Sequence, residues 1–167
     1  MNYATLLPDA TQQIAKGAFL TAGPVPNVMT IGWAQWGFVW GKPICAIFVR
    51  KSRYTHGLLE KDGRFTISVP RPGTFAAELA HCGKVSARTE NKLETQGLSL
   101  LPSKADGIPG ILGCGQYFEC KVVFKAESDL TYMEQSILNR FYADNQATPD
   151  GDPHTIYFGE ILEAYEG

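Results

Sequence analysis

The sequence predicts a mainly β protein, an antiparallel barrel of about six strands with a few short helices. Three observations lead there. Aromatic and β-branched clusters of strand length recur along the chain, steps such as Gly-Pro, Pro-Asn and Gly-Lys-Pro separate them, and no β-α-β alternation asks for a parallel sheet. Apolar residues make up 44% and charged residues 19% of the 167, enough to bury a core and too little charge to hold the chain unfolded. The ten Pro and seventeen Gly are scattered, and no linker, repeat or low-complexity tract interrupts residues 1–167, which read as a single domain.

The first residues, MNYATLLPDATQQIAK, lack the basic start and continuous apolar block of a secretory signal. Three clusters then read as successive strands: AFLTAG (18–23), VMTIGWAQW (28–36) and ICAIFV (44–49). Even the longest apolar stretches, such as ICAIFV, fall far short of the roughly 20 residues of a membrane helix, so a cytoplasmic protein without a membrane span is expected. The stretch Gly37 to Pro43 resembles a phosphate-binding loop but is one residue short and has Pro where a hydroxyl is needed; it reads as a hairpin turn. Ser52 is placed to cap a short helix running through Thr55, Leu58 and Leu59.

RFTISV (64–69) is the next strand, and GTFAAELA (73–80) the next short helix. Gly113-Cys114-Gly115 opens like a dinucleotide fingerprint, but Phe118 takes the third glycine position and a strand follows, so a turn is expected. YFECKVVFK (117–125) and HTIYFGEILEA (154–164) complete the strands. Between them Leu130, Met133, Ile137, Leu138 and Phe141 recur at helical spacing behind an Asp129 cap, which predicts a helix over Asp129 to Asn145 with its apolar stripe in the core.

Fifteen Lys plus Arg against seventeen Asp plus Glu leave a formal charge of −2, so there is no chain-wide field for a polyanion; this disfavours a duplex-binding module, though not a local basic patch, and no nucleic-acid partner is expected. Cys45, Cys82, Cys114 and Cys120 form no CxxC pair and are too scattered for a disulfide framework; buried reduced thiols are expected. His56, His81 and His154 lie far apart and show no HExxH spacing, so no metal site is expected.

Chemistry concentrates in three segments. Arg50-Lys51-Ser52-Arg53-Tyr54-Thr55-His56 places three cations and several hydroxyls where a strand gives way to a helix start. Free N–H groups, the positive helix end and bidentate arginines there suit a phosphate as well as a solvated basic turn. In Asn27-Val28-Met29-Thr30-Ile31-Gly32-Trp33, an amide and a hydroxyl interrupt an apolar strand, as on a wall that covers the face of a flat heterocycle and reads its edge, or on a half-buried strand with polar residues facing water. Lys84 to Lys92 has the composition of a solvated loop, yet Arg88 or Lys92 can set positive charge beside an electron-accepting ring.

In order and spacing these segments resemble the flavin reductase-like family, and within it the flavoredoxin branch. The resemblance rests on NVMTIGW, VRKSRYT, RFTISVP, VSARTENK and HTIYFGEI, which together span nearly the whole chain. It implies a Greek-key, FMN-binding split β-barrel that forms a homodimer, with flavin at or near the subunit interface. On the matching positions, Asn27, Val28, Met29, Thr30 and Trp33 would contact the isoalloxazine and ribityl portion. Arg50, Ser52, Arg53, Tyr54 and Thr55 would hold the phosphate; Ser86, Arg88 and Lys92 would close over the flavin; and Phe158 would approach the ring. Ala87 stands where the family often has Gly, and Ala is less free to adopt positive φ.

The activity implied is electron transfer from NADH or NADPH through FMN to free flavin or another acceptor, with no acid, base or nucleophile required of the protein. A flavoredoxin-type carrier serving a redox-protein partner is the alternative. A non-enzymatic barrel that binds a ligand or single-stranded nucleic acid is the alternative from a different class.

Overall fold

The computed structural model describes residues 3–105, 107–143 and 150–167. One antiparallel sheet of seven strands dominates, built from β1 (Ala18–Ala22), β2 (Asn27–Ile31), β3 (Ala34–Val39), β4 (Lys42–Arg50), β5 (Arg64–Val69), β8 (Gln116–Glu127) and β9 (His154–Glu166). Its strand order is β2-β1-β5-β8-β9-β4-β3, so β2 and β3, adjacent in sequence, lie at opposite ends, and the junctions β1–β5, β5–β8 and β9–β4 are Greek-key-like crossovers. The sheet curls without closing, the form of a split barrel. Two short strands, β6 (Leu100–Leu101) and β7 (Gly110–Ile111), pair as a separate flap.

β1 is buried along its full length and β5 from Phe65 onward, because each is covered on both faces. Alternation assigns the two sides. Leu20, Ile47, Phe65, Ile67, Phe118 and Tyr157 fill the main core, whereas Phe19, Val28, Tyr117 and Tyr165 point the other way, into a smaller core closed by Leu79 and Cys82 of α3 (Ala76–Lys84). All four cysteines are buried and free of disulfides. The turn between β3 and β4 puts Trp40 (φ 54) and Gly41 (φ 72) both in the left-handed region, the conformation that matches the twist of a two-residue hairpin.

Several expectations need correction. VMTIGWAQW is two strands, parted at Gly32-Trp33 and sent to opposite sheet ends. Counting the flap, the described residues contain nine strands where about six were expected. The N-terminal segment, read only for the absence of a signal, forms a 3₁₀ turn (Tyr3–Leu6) and α1 (Leu7–Ile14), which buries Ala10 and Ile14 on the main core. Ser52 is no cap: α2 (Tyr54–Asp62) starts from Arg53 with no side-chain cap bond. The helix expected over 73–80 is α3, three residues later, because Phe75 at φ 58 turns the chain first.

The expected helix over Asp129 to Asn145 is broken. Asp129 caps only a 3₁₀ turn (Leu130–Tyr132) through the Thr131 N–H, and a separate α5 runs Gln135–Phe141; Asn145 lies outside the described residues. The stripe does not reach the core either. None of its residues is buried, and Ile137 (40%) and Phe141 (37%) are exposed, because the seven strands already fill the interior. Helical periodicity fixes a common face, not what that face meets.

Candidate functional site

The three chemistry-bearing segments converge. β2 lies beside the turn from β4 into α2, and the loop after α3 folds over both before α4 (Lys92–Thr95) begins. Together they enclose a cavity of about 310 Å³ lined by Met29, Arg50, Ser52, Arg53, Tyr54, Thr55, Ser86, Arg88 and Lys92 among others. It opens on one side to a wider cleft of about 720 Å³, where Pro24, Val25, Pro26, Val28, Leu58 and Leu93 give an apolar lining beside Asn27 and Tyr54. On the other side, Met29, Arg50 and Arg53 are shared with a shallower hollow walled by Thr30, Trp33, Phe48 and His154.

The electrostatics of the central cavity are one-sided. Arg53 Nη2 donates to the Gly83 carbonyl at 2.6 Å, Arg88 Nη1 to the Ser52 carbonyl at 3.0 Å, and Lys92 Nζ to the Val85 carbonyl at 3.1 Å. Arg50 donates to three carbonyls, those of Phe141, Gly151 and Asp152. Among the described residues none of these four cations forms an ion pair; the turn's other cation, Lys51, pairs with Glu127. Lys92 is only 4% exposed, and burial together with the Arg53 charge holds its pKa below the ordinary lysine range. A buried ammonium satisfied by one carbonyl, beside two arginines, is an arrangement that an anion would complete. The uncapped α2 start adds first-turn N–H groups to the same wall.

Other expected site residues are committed to neighbours. Asn27 Nδ2 donates to Thr55 Oγ1 at 2.8 Å, and both are buried; the bond ties β2 to α2 and leaves the Thr55 proton free to donate elsewhere. Thr30 Oγ1 donates to the Leu79 carbonyl at 2.6 Å, locking β2 against α3. The Arg88 guanidinium lies 5.7 Å from the Tyr54 ring centroid, and the Ser86 hydroxyl accepts the Arg88 N–H at 3.2 Å, which shapes the loop. Ala87 is not among the residues with positive φ, so alanine fits this loop without strain. Phe158 stands apart: it contacts Trp40 and Phe124 on the outer sheet face, four residues, or about 13 Å, along β9 from His154.

His154 belongs to the third hollow. Its Nδ1 sits 2.7 Å from Tyr142 Oη and its ring 4.7 Å from Trp33. Burial, helped by the Arg50 charge, pushes its pKa down to about 4, so the ring is neutral at pH 7. An unfolded histidine titrates near 6.5, so between about pH 6.5 and 4 the unfolded state binds the extra proton and stability falls as pH falls. In that window urea-unfolding free energies of a His154→Gln variant should lose up to ~1.4 kcal/mol per pH unit of the wild-type slope; an unchanged slope would reject the assignment.

A model of the flavin reductase like domain matches residues 15–167. The chain belongs to the flavin reductase-like family. An uncharacterized protein of Archaeoglobus fulgidus is 33% identical over 133 residues, covering 79% of this chain and 73% of the relative. Among solved structures, flavoredoxin from Methanosarcina acetivorans superposes with a TM-score of 0.68 at 22% identity, covering 90% of this chain and 68% of that one. The NADH:FAD oxidoreductase SgcE6 of Streptomyces globisporus C-1027 gives 0.67 at 21%, covering 90% and 75%. At such identities the structures establish the shared fold, which for this family member is the split barrel described above. Sequence reading missed three participants: the apolar cleft residues Pro24 to Pro26, Tyr142, and Asp152, whose carboxylate contacts Ser52. Pro24 to Pro26, between Gly23 and Asn27, and Asp152, next to Pro153, carried a signal, but in both places it was for a turn.

Proposed function

We propose that this chain is an FMN-dependent oxidoreductase that takes electrons from NADH or NADPH and passes them to free flavin or another acceptor. The carrying observation is the group of four cations, none ion-paired among the described residues, around a cavity roomy enough for a phosphate group and adjoining a cleft with an apolar wall. A phosphate monoester brings about −1.5 to −2 charges, which that group would offset. The residues present therefore suit the cofactor's phosphate end, and the cleft suits a flat heterocycle.

Arg53, Arg88, Lys92, the Thr55 hydroxyl and the α2 N–H groups would hold the phosphate. Asn27 and Val28 would border the ring system in the cleft, with Tyr54 and Ser86 at the cavity mouth; Met29 and Trp33 line the hollow on the far side of the phosphate cavity. When bound, FMN supplies hydride and single-electron exchange, so the chain need only bind, orient and exclude water. No described residue is assigned as acid, base or nucleophile, and among the described residues no cluster of His, Cys, Asp and Glu suits a metal ion. No described helix is long and apolar enough to cross a membrane.

A homodimer belongs to the same reading. Trp40 (57%) and Phe124 (49%) are exposed on one sheet face with Phe158 against them, an aromatic patch suited to a second copy; Phe158 would reach a flavin only across such an interface. The test is the visible spectrum of protein reconstituted with FMN, its anaerobic titration with NADH and NADPH, and its sedimentation. Stoichiometric FMN, bleaching by either nucleotide and a two-chain mass are expected. Bleaching only through a reduced protein donor would move the chain to the electron-carrier reading, and failure to bind FMN would overturn the proposal in favour of another ligand for the barrel.

A further inference from the structure

We propose that Asp152 is a built-in competitor for the phosphate group at the Ser52 corner of the anion cavity, and that it keeps FMN exchangeable instead of permanently held. The inference rests on the FMN reading above and adds to it a residue that sets cofactor retention.

Ser52 offers two donors to an incoming anion, its backbone N–H and its hydroxyl. Both are taken: the N–H donates to Asp152 Oδ1 at 3.0 Å and the hydroxyl to Oδ2 at 2.6 Å. A carboxylate accepting from adjacent N–H and O–H groups occupies them as two phosphate oxygens would. Among the described residues it is also the one carboxylate hydrogen-bonded to a residue lining that cavity. At the Ser52 corner the offsetting carboxylate is thus Asp152, while Glu90 in the adjoining cleft acts on Lys92.

The backbone holds this carboxylate in place. Asp152 has φ 48, a left-handed conformation that Asp tolerates better than most side chains. Its carbonyl accepts from Arg50 Nη1 at 2.9 Å, and its N–H donates to Asp150 Oδ1 at 3.1 Å. Arg50 thus serves as an anchor for the competitor, with three carbonyls on its guanidinium, while Arg53, Arg88 and Lys92 keep the cavity positive. A phosphate dianion entering the cavity must either displace the carboxylate from Ser52 or sit beside a like charge, and both weaken binding. Riboflavin, which lacks the phosphate, meets neither penalty.

The experiment compares wild type with Asp152→Asn, which keeps the side-chain shape, tolerates positive φ and removes the charge. Dissociation constants for FMN and riboflavin come from flavin fluorescence, and inorganic phosphate is titrated by its effect on the melting temperature. FMN should bind about tenfold tighter to D152N, with riboflavin unchanged within about twofold and a larger phosphate-induced rise in melting temperature. In a Ser52→Ala background the same change should give a smaller gain, because the hydroxyl, one of the two contested donors, is gone. Weaker or unchanged FMN and phosphate binding in D152N would overturn the proposal and make Asp152 an organiser of the turn. If wild type binds neither FMN nor riboflavin, the FMN reading fails while the phosphate titration still decides the competition. Should D152N not fold, Asp152→Gly, which relaxes the backbone, carries the same expectations.

Discussion

An Arg53→Ala, Arg88→Ala double variant should bind FMN about two orders of magnitude more weakly than wild type, while its affinity for riboflavin changes by less than about threefold. The two guanidiniums reach the cavity from different elements, Arg53 from the start of α2 and Arg88 from the loop after α3. Each has one carbonyl partner, leaving several N–H donors for phosphate oxygens. Hydrogen bonds to charged groups contribute about 1.5–3 kcal/mol apiece, so losing two can exceed the hundredfold expected even after partial compensation by Lys92. Arg88 is exposed and Arg53 half-buried, so the melting temperature should move little. Isothermal titration with FMN and riboflavin is the check, and an FMN affinity within threefold of wild type would remove both residues from the phosphate site.

Gly159→Ala should destabilise the fold by about 3 kcal/mol, a large effect for adding a single methyl group. Gly159 pairs with Cys45 on β4 and Val122 on β8, and a Cβ there would lie 2.5 Å from Phe65 Cζ and 2.9 Å from Cys120 Cβ. Phe65 is 1% exposed and has nowhere to move, so the overlap must be relieved by shifting strands. With a urea dependence of about 2 kcal/mol per molar, the midpoint should drop by roughly 1.5 M. Gly57 in α2, where an added Cβ would meet nothing within 4 Å, is the control: Gly57→Ala should leave the midpoint unchanged or slightly higher. Equal midpoints for the two variants would show that the Gly159 contact relaxes freely.

How far the sequence went depended on whether a signal was local. The hairpin at Trp40-Gly41 and the turn at Gly113 were legible because turn chemistry sits in adjacent residues. The strands around Phe19, Ile47 and Phe65 were legible from β-branched and aromatic clustering. The break at Gly32-Trp33 was not, since β2 closes a hairpin with β1 and β3 opens another with β4, and what parts the two is their placement at opposite ends of the sheet by strands far away in sequence. The stripe from Leu130 to Phe141 misled for the same reason: its periodicity is real, but the space it was expected to fill is taken by residues far away in sequence. For the site, the basic turn, β2 and the Arg88 loop were found as segments and do meet. What stayed hidden is which donors are already engaged, because the carbonyls on Arg50 and the carboxylate on Ser52 come from residues about a hundred positions later.

The place of β9 in the sheet also sets an order of events. It is the last of the seven strands in sequence, yet it lies between β8 and β4 and pairs with both. Until it inserts, the β3–β4 hairpin has no partner on its other edge, and the growing chain carries two half-sheets that cannot join. Contacts of such long sequence separation delay folding to its final stage and leave unpaired edges open to other chains in the meantime. Arg50 pairs with His154 at the very start of β9, so the anion cavity takes its shape only when that strand docks. On the FMN reading, cofactor capture thereby waits on β9, and this cavity has no means of holding flavin before that strand is in place.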